Sequence, residues 1–104
     1  MASKGSVLVL GLDLSMSSPG FAVIRKQAGE APTLIHKSHV KTNSKHSHGQ
    51  RLIAIERHLI NLIEQFGPFD AVAREKGFSA HAMTTQVIFR VVGVSDLALA
   101  KEGY

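Results

Sequence analysis

Apolar residues cluster at the start of the chain. Val7-Leu8-Val9-Leu10-Gly11-Leu12-Asp13-Leu14 is dense in Val and Leu and reads as a buried strand with an acid near its end. Ser15 to Gly20 (SMSSPG) is turn chemistry, punctuated by Pro19-Gly20. Phe21 to Lys26 predicts a second strand, Gln27 to Pro32 a loop, and Thr33 to Thr42 (TLIHKSHVKT) a looser third strand. Short links between three strands favour an antiparallel meander. Asn43 to Gly49 (NSKHSHG) is polar and reads as a loop, after which the period changes. Leu52, Ile55, Leu59, Leu62, Ile63 and Phe66 fall at helical spacing, and Gly67-Pro68 stops that helix. Asp70 to Glu75 (DAVARE) predicts a short fourth strand, Gly77 to Ala80 a turn, and about Ala82 to Lys101 a second helix.

A meander, a crossover helix and a further strand imply an α/β domain with a mixed sheet. The fourth strand, entered from a helix, pairs most easily in parallel with the first. Asp13 and Glu75 then stand at the same C-terminal edge of adjacent strands. Strands lie roughly 4.8 Å apart, so two carboxylates there can share a metal ion. An acid leaving so apolar a strand is costly unless it is used or paired. The alternatives are ordinary ones. Asp13 can cap the following turn through an Asx bond, and Glu75 can pair with its neighbours Arg74 and Lys76.

Composition narrows the chemistry. The 104 residues suffice for one domain, are 44% hydrophobic and include no cysteine. Disulfides and thiolate metal sites are thereby excluded, and a cytoplasmic setting is expected. No leader and no membrane span are expected, because Asp13 interrupts the first apolar run. Any metal must bind oxygen or imidazole, and carboxylates favour a hard ion such as Mg²⁺. Twelve Lys/Arg against eight Asp/Glu give a charge of +4, which suits a polyanionic partner and equally suits simple solubility.

Six histidines invite a zinc reading, but His46 and His48 sit in a polar loop without zinc spacing. His36 and His39 should face opposite sides of a strand. Lys37, Lys41, Lys45, Arg51, Arg74, Lys76 and Arg90 can together form a surface for a phosphate backbone. The last helix carries more apolar residues than one small sheet face can cover, and Gly93 within it would admit another backbone closely.

The order of these motifs resembles a known family. Gly11 to Ile24 (GLDLSMSSPGFAVI) resembles the first hairpin of RuvC-like Holliday junction resolvases, within the RNase H-like superfamily. Arg51 to Ser79 resembles their next helix and strand, and Thr85 to Val94 the helix after it, particularly in phage-type members. The resemblance implies an RNase H-like fold, a metal-dependent endonuclease acting on branched DNA, and a homodimer. It implies four acids binding two Mg²⁺ or Mn²⁺ ions about 3.5–4 Å apart, with Asp13 as the first acid and Glu75 as the second. The other two belong to a C-terminal helix, so that part of the fold is expected to lie outside these residues and activity to be low or absent. Asp96 and Glu102 are on the wrong helix for that role.

Candidate DNA contacts are Ser15 and Ser17 on the turn after Asp13, together with Lys45, Arg51, Lys76, Phe78 and His81. Phe78 can wedge against a base at a distorted step. Met83, Val87, Arg90, Val91 and Val94 are the candidate dimer contacts. Two other readings stand beside this one. The first is a non-catalytic DNA-binding or dimerisation module of the same fold. The second is an actin-like ATPase fragment, whose first hairpin also sets an acid before a Ser-rich turn.

Overall fold

A computed structural model describes residues 5–74 and 82–104, with side chains from residue 89 onward in the last helix. Strand β1 (Ser6–Asp13) is central, flanked by antiparallel β2 (Gly20–Gln27) and by parallel β4 (Ala71–Arg74). Strand β3 (Thr33–His39) adds to β2, giving the order β3-β2-β1-β4. The expected mixed sheet is therefore present, a meander with one parallel pair. β3 ends at His39 rather than Thr42. Beyond it Val40 N–H donates to Pro19 C=O and Thr42 N–H to Ser17 C=O, so the chain follows the β1–β2 turn instead of a strand.

Helix α1 (His48–Phe66) begins earlier than its apolar stripe suggests. Ser47 caps it, its hydroxyl accepting from Gln50 N–H while the Gln50 side chain accepts from Ser47 N–H. This reciprocal pair satisfies two otherwise orphaned donors. Gly67 closes the helix by donating to Ile63 C=O at 2.8 Å, where a Cβ would meet that oxygen at 2.4 Å. Asp70 then starts the parallel ladder, its N–H donating to Leu8 C=O and its carboxylate accepting from Leu8 N–H at 2.7 Å.

Strand alternation sorts the sheet into two unlike faces. Leu10, Leu12, Phe21 and Val23 are buried against Ile55, Leu59, Leu62 and Ile63 of α1. Helix α2 (Ala82–Lys101) lies on the same side, burying Val91, Ala98 and Leu99, and Asp96 pairs with Arg74 of β4. The opposite face carries Gly11, Asp13, Gly20, Ala22, Lys37, His39 and Ala73, and no described element covers it.

Candidate active site

Asp13 is the last residue of β1, and its backbone pairs with Gly20. Its carboxylate is exposed and has no hydrogen-bond partner among the described residues. The following turn is held by a different side chain: Ser15 Oγ accepts from Ser18 N–H at 3.1 Å. Met16 is buried beneath this turn. Thr42 Oγ1 fixes it from the side, donating to Met16 C=O at 2.6 Å while accepting from Arg51 Nε at 2.9 Å. Among the described residues nothing engages the Asp13 side chain, while its neighbours secure the backbone that carries it.

On the adjacent strand, Leu12 is level with Arg74. Glu75 follows Arg74 in the chain and lies outside the described residues, as do Lys76, Phe78 and His81. The Arg74 guanidinium pairs with Asp96. Among the described residues no group of three or more His, Asp or Glu is placed to hold a metal ion.

In front of Asp13 lies an open groove of about 540 Å³, with Gly11, Gly20, Ala22 and Ala73 in its floor. Small residues leave the room that larger side chains would fill. Lys37 and His39 form the far wall. The sequence singles out neither: His39 belongs to no zinc pattern and Lys37 is one of seven scattered cations. Their placement follows from pairing: Lys37 is level with Ala22 and His39 with Gly20, on the Asp13 face.

The remaining candidates are dispersed. Ser17 and Lys45 are exposed; Lys45 N–H donates to the Asn43 side chain. Arg90 reaches His48 at the start of α1, so it has a partner within the chain. Met83 and Val87 lie in α2, but their side chains are outside the description. Val91 is fully buried in the chain's own core and Val94 is half-buried. Among the described residues of α2, Phe89, Gly93 and Leu97 form an exposed stripe, with Phe89 58% and Leu97 53% exposed. Their spacing of four residues was the available signal.

His36 faces the helices, on the side of β3 opposite to His39, as their odd separation requires. It packs on Phe66 with ring centroids 4.9 Å apart, and its Nε2 is buried without a partner among the described residues. His58 on α1 is hydrogen-bonded through Nε2 to Ser38 Oγ at 2.8 Å and packs on Phe21. Burial, and secondarily the nearby His36, lower the His58 pKa below 6.5. The unfolded chain therefore takes up the proton first as pH falls. Stability should be full above about pH 6.5 and decline below it, through the lower folded value. Urea midpoints between pH 8 and 5 should fall in the wild type and fall less in His58→Gln; parallel curves would remove His58 as the cause.

Comparison with known proteins places the chain. The sequence model of the family described as Crossover junction endodeoxyribonuclease RuvC matches residues 9–104. The chain belongs to the RuvC family. It is 33% identical over 98 residues to the Crossover junction endodeoxyribonuclease RuvC of Bifidobacterium adolescentis, covering 93% of this chain and 50% of that protein. Its likeness to the Synechococcus protein of the same description is 30% over 95 residues, covering 91% and 60%. The chain thus spans about half the length of the curated relatives it matches. Among solved structures, T. thermophilus RuvC in complex with Holliday junction substrate superposes with a TM-score of 0.85 at 22% identity. That match covers 93% of this chain and 59% of the other, and it shows the shared RuvC fold.

Proposed function

We propose that this chain is the Asp13-bearing part of a divalent-metal-dependent nuclease domain acting on Holliday junctions or other branched DNA. The observation that carries the reading is Asp13 itself. It is a carboxylate without a partner among the described residues, at the end of the central strand above a floor of small residues, in a chain of the RuvC family. That family match favours the nuclease reading over the actin-like one. A cytoplasmic setting in a bacterial or phage-infected cell belongs to the same reading, and no helix among the described residues is long and apolar enough to cross a membrane.

A carboxylate with open space before it is a hard donor suited to Mg²⁺ or Mn²⁺. Asp13 and Glu75 would hold the ion, which when bound supplies an activated water and stabilises the leaving oxygen. The chain's own residues do the rest. Asp13 fixes where the ion would sit, the small floor admits the backbone of the reacting strand, and exposed Lys45 with Arg51, Lys76 and His81 would neutralise phosphates along it. Phe78 stacks on a base beside the reacting step. Ser15 and Ser17 shape the turn through which the strand passes.

The test is binding and cleavage of a labelled four-way DNA junction with Mg²⁺ or Mn²⁺, beside linear duplex and EDTA controls. Preferential junction binding supports the reading, and metal-dependent cutting extends it to catalysis by this chain alone. Equal or absent affinity for junction and duplex would sink it.

A homodimer through α2 belongs to the same proposal. Its support is the exposed stripe Phe89–Gly93–Leu97, where nothing among the described residues lies within 4 Å of a Cβ built on Gly93. Such a stripe lets two helices approach closely while covering two large apolar side chains. Leu97→Arg should weaken self-association at least about tenfold in sedimentation equilibrium without changing helix content. A wild-type chain that stays monomeric at high concentration would rule the dimer out.

A further inference from the structure

The groove in front of Asp13 has an opposite wall with chemistry of its own. Lys37 and His39 stand two residues apart on β3, so alternation puts both on the Asp13 face. Successive same-face positions on a strand are roughly 6.8 Å apart, close to the spacing of adjacent phosphates along an extended nucleic-acid strand. The bulge between Val23 and Ile24 decides this placement. Ile35 is the extra residue, and the regular pairing His36–Val23, Lys37–Ala22, Ser38–Phe21 and His39–Gly20 follows it.

Gly20 fixes how closely the two walls approach. A Cβ built there would lie 3.5 Å from His39 Nε2 and 3.7 Å from Asp13 Cβ. The imidazole edge and the carboxylate stem therefore flank the same point on the floor. Any larger residue at 20 would occupy the space between them. Neither Lys37 nor His39 has an ion-pair partner among the described residues, whereas Arg74 at the groove's other end is engaged by Asp96. One wall thus carries a carboxylate, the other carries nitrogen donors, and the floor between them is Gly11, Gly20, Ala22 and Ala73.

We infer that Lys37 and His39 form a phosphate-binding rail, holding the sugar-phosphate backbone of the DNA strand that lies across this floor beside Asp13. The inference rests on the branched-DNA reading above and adds to it the binding residues on β3. Lys37 supplies a charged donor and His39 a ring N–H; both contact the backbone and therefore act without regard to base sequence. They are binding residues, and the chemistry stays with the carboxylate edge.

The experiment measures affinity of the full chain for a labelled four-way junction in EDTA across a salt series. Lys37→Ala should weaken binding roughly tenfold, and it should lower the slope of log affinity against log salt by about 0.9. His39→Ala should weaken binding by several-fold, and Lys37→Arg should restore the wild-type slope. Lys101→Ala, an equal charge change at the end of α2, should leave the slope unchanged. Equal losses in Lys101→Ala and Lys37→Ala would overturn the rail in favour of general charge attraction. Wild-type affinity in both Lys37→Ala and His39→Ala overturns the rail alone. No junction binding by the wild type overturns the branched-DNA reading and the rail with it.

Discussion

Asp13→Asn is expected to lower divalent-cation affinity by at least about a hundredfold while leaving the fold intact. Removing groups that merely orient a ligand already costs 10–100-fold in typical metal sites, and here a ligating charge itself is lost. The fold should not notice. Asp13 is exposed, its carboxylate has no partner among the described residues, and its turn is held by Ser15, Thr42 and buried Met16. A near-isosteric amide at such a position changes stability by less than about 0.5 kcal/mol. Titration with Mn²⁺, read by paramagnetic resonance, should show the loss, beside an unchanged thermal midpoint. Asp96→Asn is the matched control, because Asp96 is committed to Arg74 across the β4–α2 contact. Unchanged Mn²⁺ affinity in Asp13→Asn, or an equal loss in Asp96→Asn, would show that the ion binds elsewhere.

That Asp13 occupies a strand tip was legible in the sequence, because an acid directly after Val7–Leu12 has nowhere buried to go. The α1 stripe was equally plain, since Ile55, Leu59, Leu62 and Ile63 are all buried as their spacing predicts. The start of α1 was legible too, but in a different alphabet. Ser47-His48-Gly49-Gln50 is a capping box, and a reading weighted toward apolar periodicity leaves it in the preceding polar loop. The far wall of the groove is another matter. Alternation says that His36 and His39 face opposite sides, yet which of them faces Asp13 depends on the bulge at Ile35 and on the register with β2. Those are tertiary facts. The Arg74–Asp96 pair joins residues 22 apart, and the clamp of Thr42 and Arg51 on Met16 spans up to 35 positions, so neither leaves a local pattern.

Leu10→Ala should give the largest loss of stability of any single change considered, about 3 kcal/mol. Leu10 is fully buried on the central strand, level with Val23 of β2 on one side and Val72 of β4 on the other. Ile55 and Leu59 of α1, also fully buried, belong to the same core cluster. Truncation therefore loses the transfer energy of the removed carbons and leaves a cavity that the sheet backbone cannot close, within a measured range of about 2–5 kcal/mol for such sites. A domain of this size holds roughly 5–15 kcal/mol in total, so the change consumes a large fraction of it. The thermal midpoint should fall by some 12–24 °C. Val7→Ala on the same strand is the counterpart: Val7 is 42% exposed, on the uncovered face, and should cost about 0.5 kcal/mol or less. Comparable losses at the two positions would mean that the face of β1 carrying Val7 is covered in solution. A large loss at Leu10 alone would fix the helices to the Leu10 face of β1.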